Sequence, residues 1–139
     1  MKVLVLADSS SWHTERYVNE LRRQGVTVTL ASAEPGALVD APLSLRSPFA
    51  AVGYLLLARD LRELIARERP DIVNAHFASA YGYTAARCRK RFGDQGAVWA
   101  LTVWGSDVLL SPERSAVHRA RVVAALRAAD IVSSWFAGS

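Results

Sequence analysis

The sequence of 139 residues has few of the features that mark disulfide-bonded, zinc-binding or membrane-spanning proteins. Its single cysteine, Cys88, excludes an internal disulfide and a zinc site built on cysteine pairs. No apolar run reaches the roughly 18–20 residues that a membrane helix needs, and the N-terminus lacks the pattern of a signal peptide. Because 51% of the residues are hydrophobic, the chain can bury a core. We expect one domain over residues 1–139, located in the cytoplasm.

Lysine is nearly absent, although the chain is basic. The 17 basic residues are arginines apart from Lys2 and Lys90, and the formal net charge is +4. A basic balance favours nucleic acid, anionic lipid or phosphorylated ligands as partners. The arginines are spread over several segments mixed with acidic residues, and no nucleic-acid recognition motif accompanies them. We therefore expect no nucleic-acid partner.

Four arginines cluster around one predicted helix, whose start carries Leu55, Leu56 and Leu57. They are Arg59, Arg62, Arg67 and Arg69. This combination favours a weak peripheral contact with anionic lipid at the inner face of the membrane. An ordinary amphipathic helix docked on the sheet explains the same residues.

Apolar runs alternate with segments of helical periodicity along the whole chain. Strands are predicted at 3–7, 26–30, 43–45, 71–77, 97–103 and 131–134, and helices at 12–24, 49–68, 78–92 and 111–129. Ser111 is expected to cap the last helix. Such alternation is typical of a parallel sheet covered by helices on both faces. We predict an α/β, doubly wound, Rossmann-like sheet of about six strands in the order 3-2-1-4-5-6.

Ligands of doubly wound sheets bind beyond the carboxyl ends of the strands, which here selects the loops 8–14, 75–83 and 104–110. The first loop has no glycine, so it lacks both the dinucleotide fingerprint and the Walker motif. It does place a group of polar side chains at a helix N-terminus, which favours an anion: Ser10, Ser11, His13 and Thr14. A capping role for Ser11 and a solvated His13 are the alternative.

The second and third loops add further candidates for sugar or phosphate binding. His76 ends the fourth predicted strand, where an imidazole could donate to a substrate oxygen or transfer a proton. A neutral, hydrogen-bonded histidine in the core is the alternative. The helix start that follows carries Ser79, Tyr81 and Gly82, where small residues permit close approach of a ligand. The third loop contributes Gly105, Ser106 and Asp107, of which Asp107 could equally cap the next turn.

Other chemistries have weaker signals. The three histidines His13, His76 and His118 are not clustered, so no metal is expected. No Gly-x-Ser-x-Gly elbow of a serine hydrolase occurs. Cys88 lies among arginines, which could lower its pKa, although most such cysteines are not reactive.

Four segments taken together resemble the N-terminal domain of a GT-B-fold retaining glycosyltransferase of family four. They are KVLVLADSSSWHTERYVNELRRQGVTVTLAS, RPDIVNAHFASAYGYTAA, LTVWGSDVLLSP and ALRAADIVSS, and they cover nearly the whole chain. In that family the N-terminal domain binds mainly the acceptor. A C-terminal domain, absent from this sequence, holds most of the nucleotide-sugar site, including a pair of glutamates.

The resemblance implies transfer of a sugar from a nucleotide-diphosphate sugar, as co-substrate, to a sugar or lipid-linked acceptor, with retention and without a further cofactor. The first loop is serine-rich where many relatives have glycine, and Trp104 stands where many have histidine, so no catalytic residue is transferred. This domain alone is expected to be inactive. A noncatalytic sugar- or headgroup-binding module and half of a nucleotide-sugar epimerase are the alternatives.

Overall fold

A computed structural model describes residues 1–34, 38–43, 50–105 and 111–134, except for the side chains of 50–56, 79, 111 and 112. The strands are β1 (Lys2–Leu6), β2 (Thr27–Ser32), β3 (Ala41–Pro42), β4 (Ile72–His76), β5 (Val98–Val103) and β6 (Ile131–Ser134). The helices are α1 (Trp12–Arg23), α2 (Ala50–Glu68), α3 (Gly82–Phe92), α4 (Ser111–Arg114) and α5 (Ala116–Ala128). A π-helical turn, Phe77–Tyr81, joins β4 to α3.

The six strands form one sheet in the order β3-β2-β1-β4-β5-β6, and all five pairings are parallel. The predicted fold class and strand order are confirmed. β1 pairs with β2 on one side and with β4 on the other. The strand order therefore reverses direction between β1 and β4, and this is the switch point of the sheet. The loops after these two strands therefore begin at the same edge of the sheet.

Alternate side chains of β1 enter two separate cores, which places helices on both faces of the sheet. Val3 and Val5 pack with Val18 of α1 on one face. Leu4 and Leu6 belong to the larger core on the other face, to which α2, α3 and α5 contribute Leu61, Cys88 and Val122, among others. This two-sided burial explains the continuous apolar run of β1 in the sequence.

Most predicted elements differ from those observed by one or two residues at their ends, and three differ in kind or position. The third strand is Ala41–Pro42, which precedes the predicted 43–45, and residues 44 and 45 lie outside the described part. The predicted helix 78–92 begins as the π-helical turn. The predicted helix 111–129 is two helices, because Ser115 adopts an extended backbone and its hydroxyl caps α5 by accepting from the N–H of His118. This capping bond favours the extended backbone at Ser115, which separates α4 from α5.

Gly82 serves packing at the start of α3, whereas the sequence suggested room for a ligand. A Cβ there would lie 2.7 Å from Leu101 Cδ1 and 2.9 Å from the carbonyl oxygen of Phe77. The missing side chain thus lets α3 approach β5 closely. Cys88, on the same helix, is fully buried, and burial raises the pKa of its thiol to about 11. Desolvation outweighs the opposing effects of Gln95 and Arg62 on this pKa, so of the two alternatives the structure favours the unreactive cysteine.

No helix among the described residues combines the length and apolarity needed to cross a membrane.

Two serines at helix N-termini make a matched test of capping. Ser115→Ala removes the hydroxyl that accepts from His118 N–H, and we expect unfolding free energy to fall by about 1 kcal/mol. Ser11 occupies the N-cap of α1 without a side-chain capping bond. Ser11→Ala should therefore cost only about 0.5 kcal/mol or less. Urea denaturation of both variants measures the difference, and equal losses would contradict the assignment.

Candidate functional site

A chain of hydrogen bonds runs through the sheet below its carboxyl edge and centres on Asn74 of β4. Its Oδ1 accepts from the Tyr17 hydroxyl at 2.8 Å and lies 3.0 Å from His76 Nε2. Its Nδ2 donates to Thr102 Oγ1 at 3.0 Å, and Thr102 lies 3.1 Å from the hydroxyl of Ser133. The network therefore links α1 to β4, β5 and β6.

His76 is fully buried and has a defined tautomer. The indole Nε1 of Trp104 donates to His76 Nδ1 at 3.2 Å, so Nδ1 is unprotonated. Nε2 then carries the hydrogen and donates to Asn74. Burial lowers the pKa of His76 to about 3, which keeps the ring neutral. Both ring nitrogens are occupied, so His76 contacts no ligand directly in this conformation and instead positions Trp104.

An aromatic row leads from this buried histidine to the surface. The ring of Trp104 lies 5.6 Å from His76 and 5.0 Å from His13, between centroids. His13 in turn makes an edge contact with Trp12 at 5.0 Å. Trp12 is 58% exposed, whereas His13 and Trp104 are half-buried. His13, in the first turn of α1, and His76, the last residue of β4, thus both lie against the indole of Trp104 at the same edge of the sheet.

The π-helical turn begins with a strained residue. Phe77 has a φ of 68°, which a side chain rarely adopts, and its ring stacks on Trp104 with centroids 5.8 Å apart. Strain and π-helical turns are both frequent at functional sites, because the surrounding packing must enforce them. Here the stacking on Trp104 holds the turn against the edge of the sheet.

A second polar cluster ties three loops together around Tyr81. The Tyr81 hydroxyl donates to the carboxylate of Glu34 and accepts from the N–H of Ala33 at 2.9 Å. Ser9, from the loop after β1, donates its hydroxyl to the carbonyl of Glu34 at 2.6 Å. Burial and the bond to Glu34 raise the pKa of Tyr81. Tyr81 is buried, so it fixes the loops and does not line an open surface.

The remaining predicted site residues have different surroundings. Ser10 is exposed and donates from its N–H and hydroxyl to Asp8 Oδ1. Ser11 is partly exposed, whereas Thr14 is buried and its hydroxyl has no partner among the described residues. Gly105 is buried with a φ of 101°. The Ser79 side chain, Ser106 and Asp107 lie outside the described part.

Sequence reasoning missed the aromatic members of the edge, Trp12, Phe77 and Trp104, and the central role of Asn74. The available signal was that Phe77 and Trp104 stand at the ends of apolar strands and that Trp12 lies within the first selected loop, beside the polar candidates. Large aromatic side chains are usually assigned to the core, and Trp12 instead remains exposed.

Comparisons with known proteins agree with this fold. A family model described as "Glycosyl transferase 4-like" matches residues 2–135. The structure is similar to UDP-GlcNAc 2-epimerase from Methanocaldococcus jannaschii, with 12% identity and a TM-score of 0.72, over 95% of this chain and 38% of that one. It is also similar to a UDP-N-acetylglucosamine 2-epimerase, described as putative, from Listeria monocytogenes, with 17% identity and a TM-score of 0.74, over 96% and 39%. No curated protein matches significantly by sequence.

Tyr81→Phe tests the cluster that ties the loops. The change leaves Ala33 N–H and the Glu34 carboxylate without the phenol, and we expect a loss of about 1–3 kcal/mol in unfolding free energy. Tyr83→Phe is the matched control, since its hydroxyl accepts from Arg87 in a more exposed position. A loss for Tyr81→Phe no larger than for the control would contradict the role of the cluster.

The buried neutral His76 should make stability depend on pH. The unfolded state binds a proton near pH 6.5 and the folded state only near pH 3, so stability falls as pH decreases between these values. One such group contributes about 1.4 kcal/mol per pH unit, or about 2 kcal/mol between pH 7 and pH 5. His76→Gln removes this contribution, and the difference between the two pH profiles, measured by denaturation, isolates it. Parallel profiles would show that His76 titrates normally.

Proposed function

Because the chain belongs to the glycosyl transferase 4-like family, we propose that it is the N-terminal, acceptor-binding domain of a glycosyltransferase. The enzyme moves a sugar from a nucleotide-diphosphate sugar to a sugar or lipid-linked acceptor with retention of configuration. The chain spans only 38% and 39% of the two similar solved structures, so in this proposal the donor site uses residues beyond this domain.

The observation that carries the proposal is the exposed end of the aromatic row. Trp12 is 58% exposed at the edge where doubly wound folds bind ligands, directly beside His13. Aromatic faces provide apolar contact for the C–H face of a sugar ring, while a neighbouring imidazole can hydrogen-bond its hydroxyls. This combination suits a carbohydrate acceptor better than a purely apolar ligand.

The start of α1 supports the presence of a phosphate at the same edge. Within the described part, Ser11 makes no side-chain capping bond, so its hydroxyl does not occupy the first-turn N–H groups of α1. The guanidinium of Arg16 lies 4.7 Å from the centre of the Trp12 ring and adds positive charge nearby. A helix N-terminus with an adjacent cation stabilises the diphosphate that leaves during transfer. In this mechanism the domain accelerates the reaction by positioning and electrostatics.

Half of a nucleotide-sugar epimerase is the second candidate, favoured by the fold that the chain shares with the two epimerase structures. The two reactions differ in their products: transfer consumes an acceptor and releases nucleoside diphosphate, whereas epimerisation needs no acceptor. Incubating the full-length protein with UDP-GlcNAc, with and without sugar acceptors, distinguishes them. Formation of an epimer without an acceptor would reject the transferase proposal.

Peripheral attachment to anionic membranes is also proposed, through the arginines on and just after α2. Leu57 is buried in the main core and does not contribute to an exposed apolar surface, and the side chains of Leu55 and Leu56 lie outside the described part. The four arginines are all exposed and supply the positive charge that attracts anionic lipid: Arg59, Arg62, Arg67 and Arg69.

We expect Trp12→Ala and His13→Ala to weaken acceptor binding in the full-length protein while leaving folding intact. Trp12 is mostly exposed, so its loss removes little core packing, and we expect KM for the acceptor to rise about tenfold. Val117→Ala is the control, because Val117 is also 58% exposed but lies on α5. Unchanged acceptor kinetics in Trp12→Ala and His13→Ala would reject the edge as the acceptor site.

A further inference from the structure

A groove of about 700 Å³ lies between α3 and α5, and we propose that it binds a small phosphate-bearing ligand. It is lined by four basic side chains, Arg87, Arg89, Lys90 and Arg127, and by a single acidic one, Asp130. Its volume falls within the range of small-molecule sites. The proposal concerns a site separate from the aromatic edge and does not depend on the transferase activity.

The charge of the groove is largely uncompensated. The guanidinium of Arg89 donates to Asp130 Oδ1 at 3.0 Å, and the N–H of Trp99 donates to Asp130 Oδ2 at 2.9 Å, so this carboxylate already has partners. Among the described residues, Arg87, Lys90 and Arg127 form no ion pair. The groove therefore holds three positive charges without an acidic partner, which favours a ligand with several negative charges.

The groove also contains a hydrogen-bond donor of Arg87 that lacks an acceptor among the described residues. Arg87 donates from one terminal nitrogen to the Tyr83 hydroxyl at 3.1 Å, while its buried Nε has no acceptor among the described residues. A buried donor without a partner is unfavourable, and phosphate oxygens are strong acceptors for guanidinium groups. The space between the helices is kept open by small side chains, Ala86, Ala124 and Ala128.

The groove extends along both helices, and its charged end lies away from the edge that carries Trp12. Arg89 and Lys90 are in the last turn of α3, Arg127 is in the last turn of α5, and Asp130 directly precedes β6, all towards the amino edge of the sheet. The groove thus follows the outer surface between two helices. Three charges in a confined groove suit a phosphate or diphosphate group, free or as the headgroup of a lipid.

The test compares two double variants with the same net charge. Lys90→Gln with Arg127→Gln removes two charges from the groove, whereas Arg91→Gln with Arg119→Gln removes two exposed charges from the same helices outside it. Binding of inorganic pyrophosphate is measured by calorimetry at low ionic strength, where electrostatic attraction is strong. Cosedimentation with phosphatidylglycerol vesicles, against phosphatidylcholine vesicles, provides the lipid measurement.

We expect the groove variant to lose about tenfold in affinity for the probe that binds, and the control variant to bind like the unmodified protein. Binding of pyrophosphate identifies a soluble ligand, and binding of anionic vesicles alone identifies a lipid headgroup. Equal weakening in both variants would show a general charge effect and overturn the proposal. Binding that persists in the groove variant, or no binding of either probe, would overturn it as well. Since none of these residues lies at the aromatic edge, failure here leaves the acceptor proposal untouched.

Discussion

The buried hydrogen bonds of Asn74 determine how the carboxyl edge of this sheet is built. A side-chain amide buried on one face of the sheet must find partners, because a buried polar group left without its hydrogen bond destabilises the fold by on the order of 1–3 kcal/mol. Asn74 finds its partners on α1 and β5, and through His76 it reaches the loop after β5. Asn74 thus connects α1, on one face of the sheet, to the end of β5.

The neutral state of His76 follows from this constraint and gives Trp104 its orientation. A protonated ring would place a charge in the core and would turn the acceptor of the indole N–H into a donor. With the ring neutral, Trp104 can stack on Phe77 and contact His13. The strained backbone of Phe77 is held by the same stacking. The position of His13 in the first loop therefore depends, through Trp104, on the buried hydrogen bonds of His76 and Asn74.

The fold alone does not choose between the reactions performed on this architecture. The chain belongs to a glycosyl transferase 4-like family, yet two solved structures with similar folds are described as epimerases, at 12% and 17% identity. Fold is shared far more widely than chemistry. Our proposal of a sugar near a phosphate therefore rests on side chains at the edge, namely the exposed indole of Trp12, the imidazole of His13 and the start of α1, where Ser11 makes no side-chain capping bond within the described part.

The sequence by itself determined the fold class, the strand order and the loops that meet at the edge. Apolar runs, helical periodicity and chain connectivity are local signals, and alternation of strands and helices leaves few topologies. Only the tertiary structure decided that His76, Thr14 and Tyr81 are buried and that Trp12 is exposed. Their environments depend on partners that are distant in the chain. His76 is hydrogen-bonded to Trp104, and Tyr81 is hydrogen-bonded to Glu34. Burial and hydrogen bonding between distant residues arise only when the elements pack, so no local pattern records them.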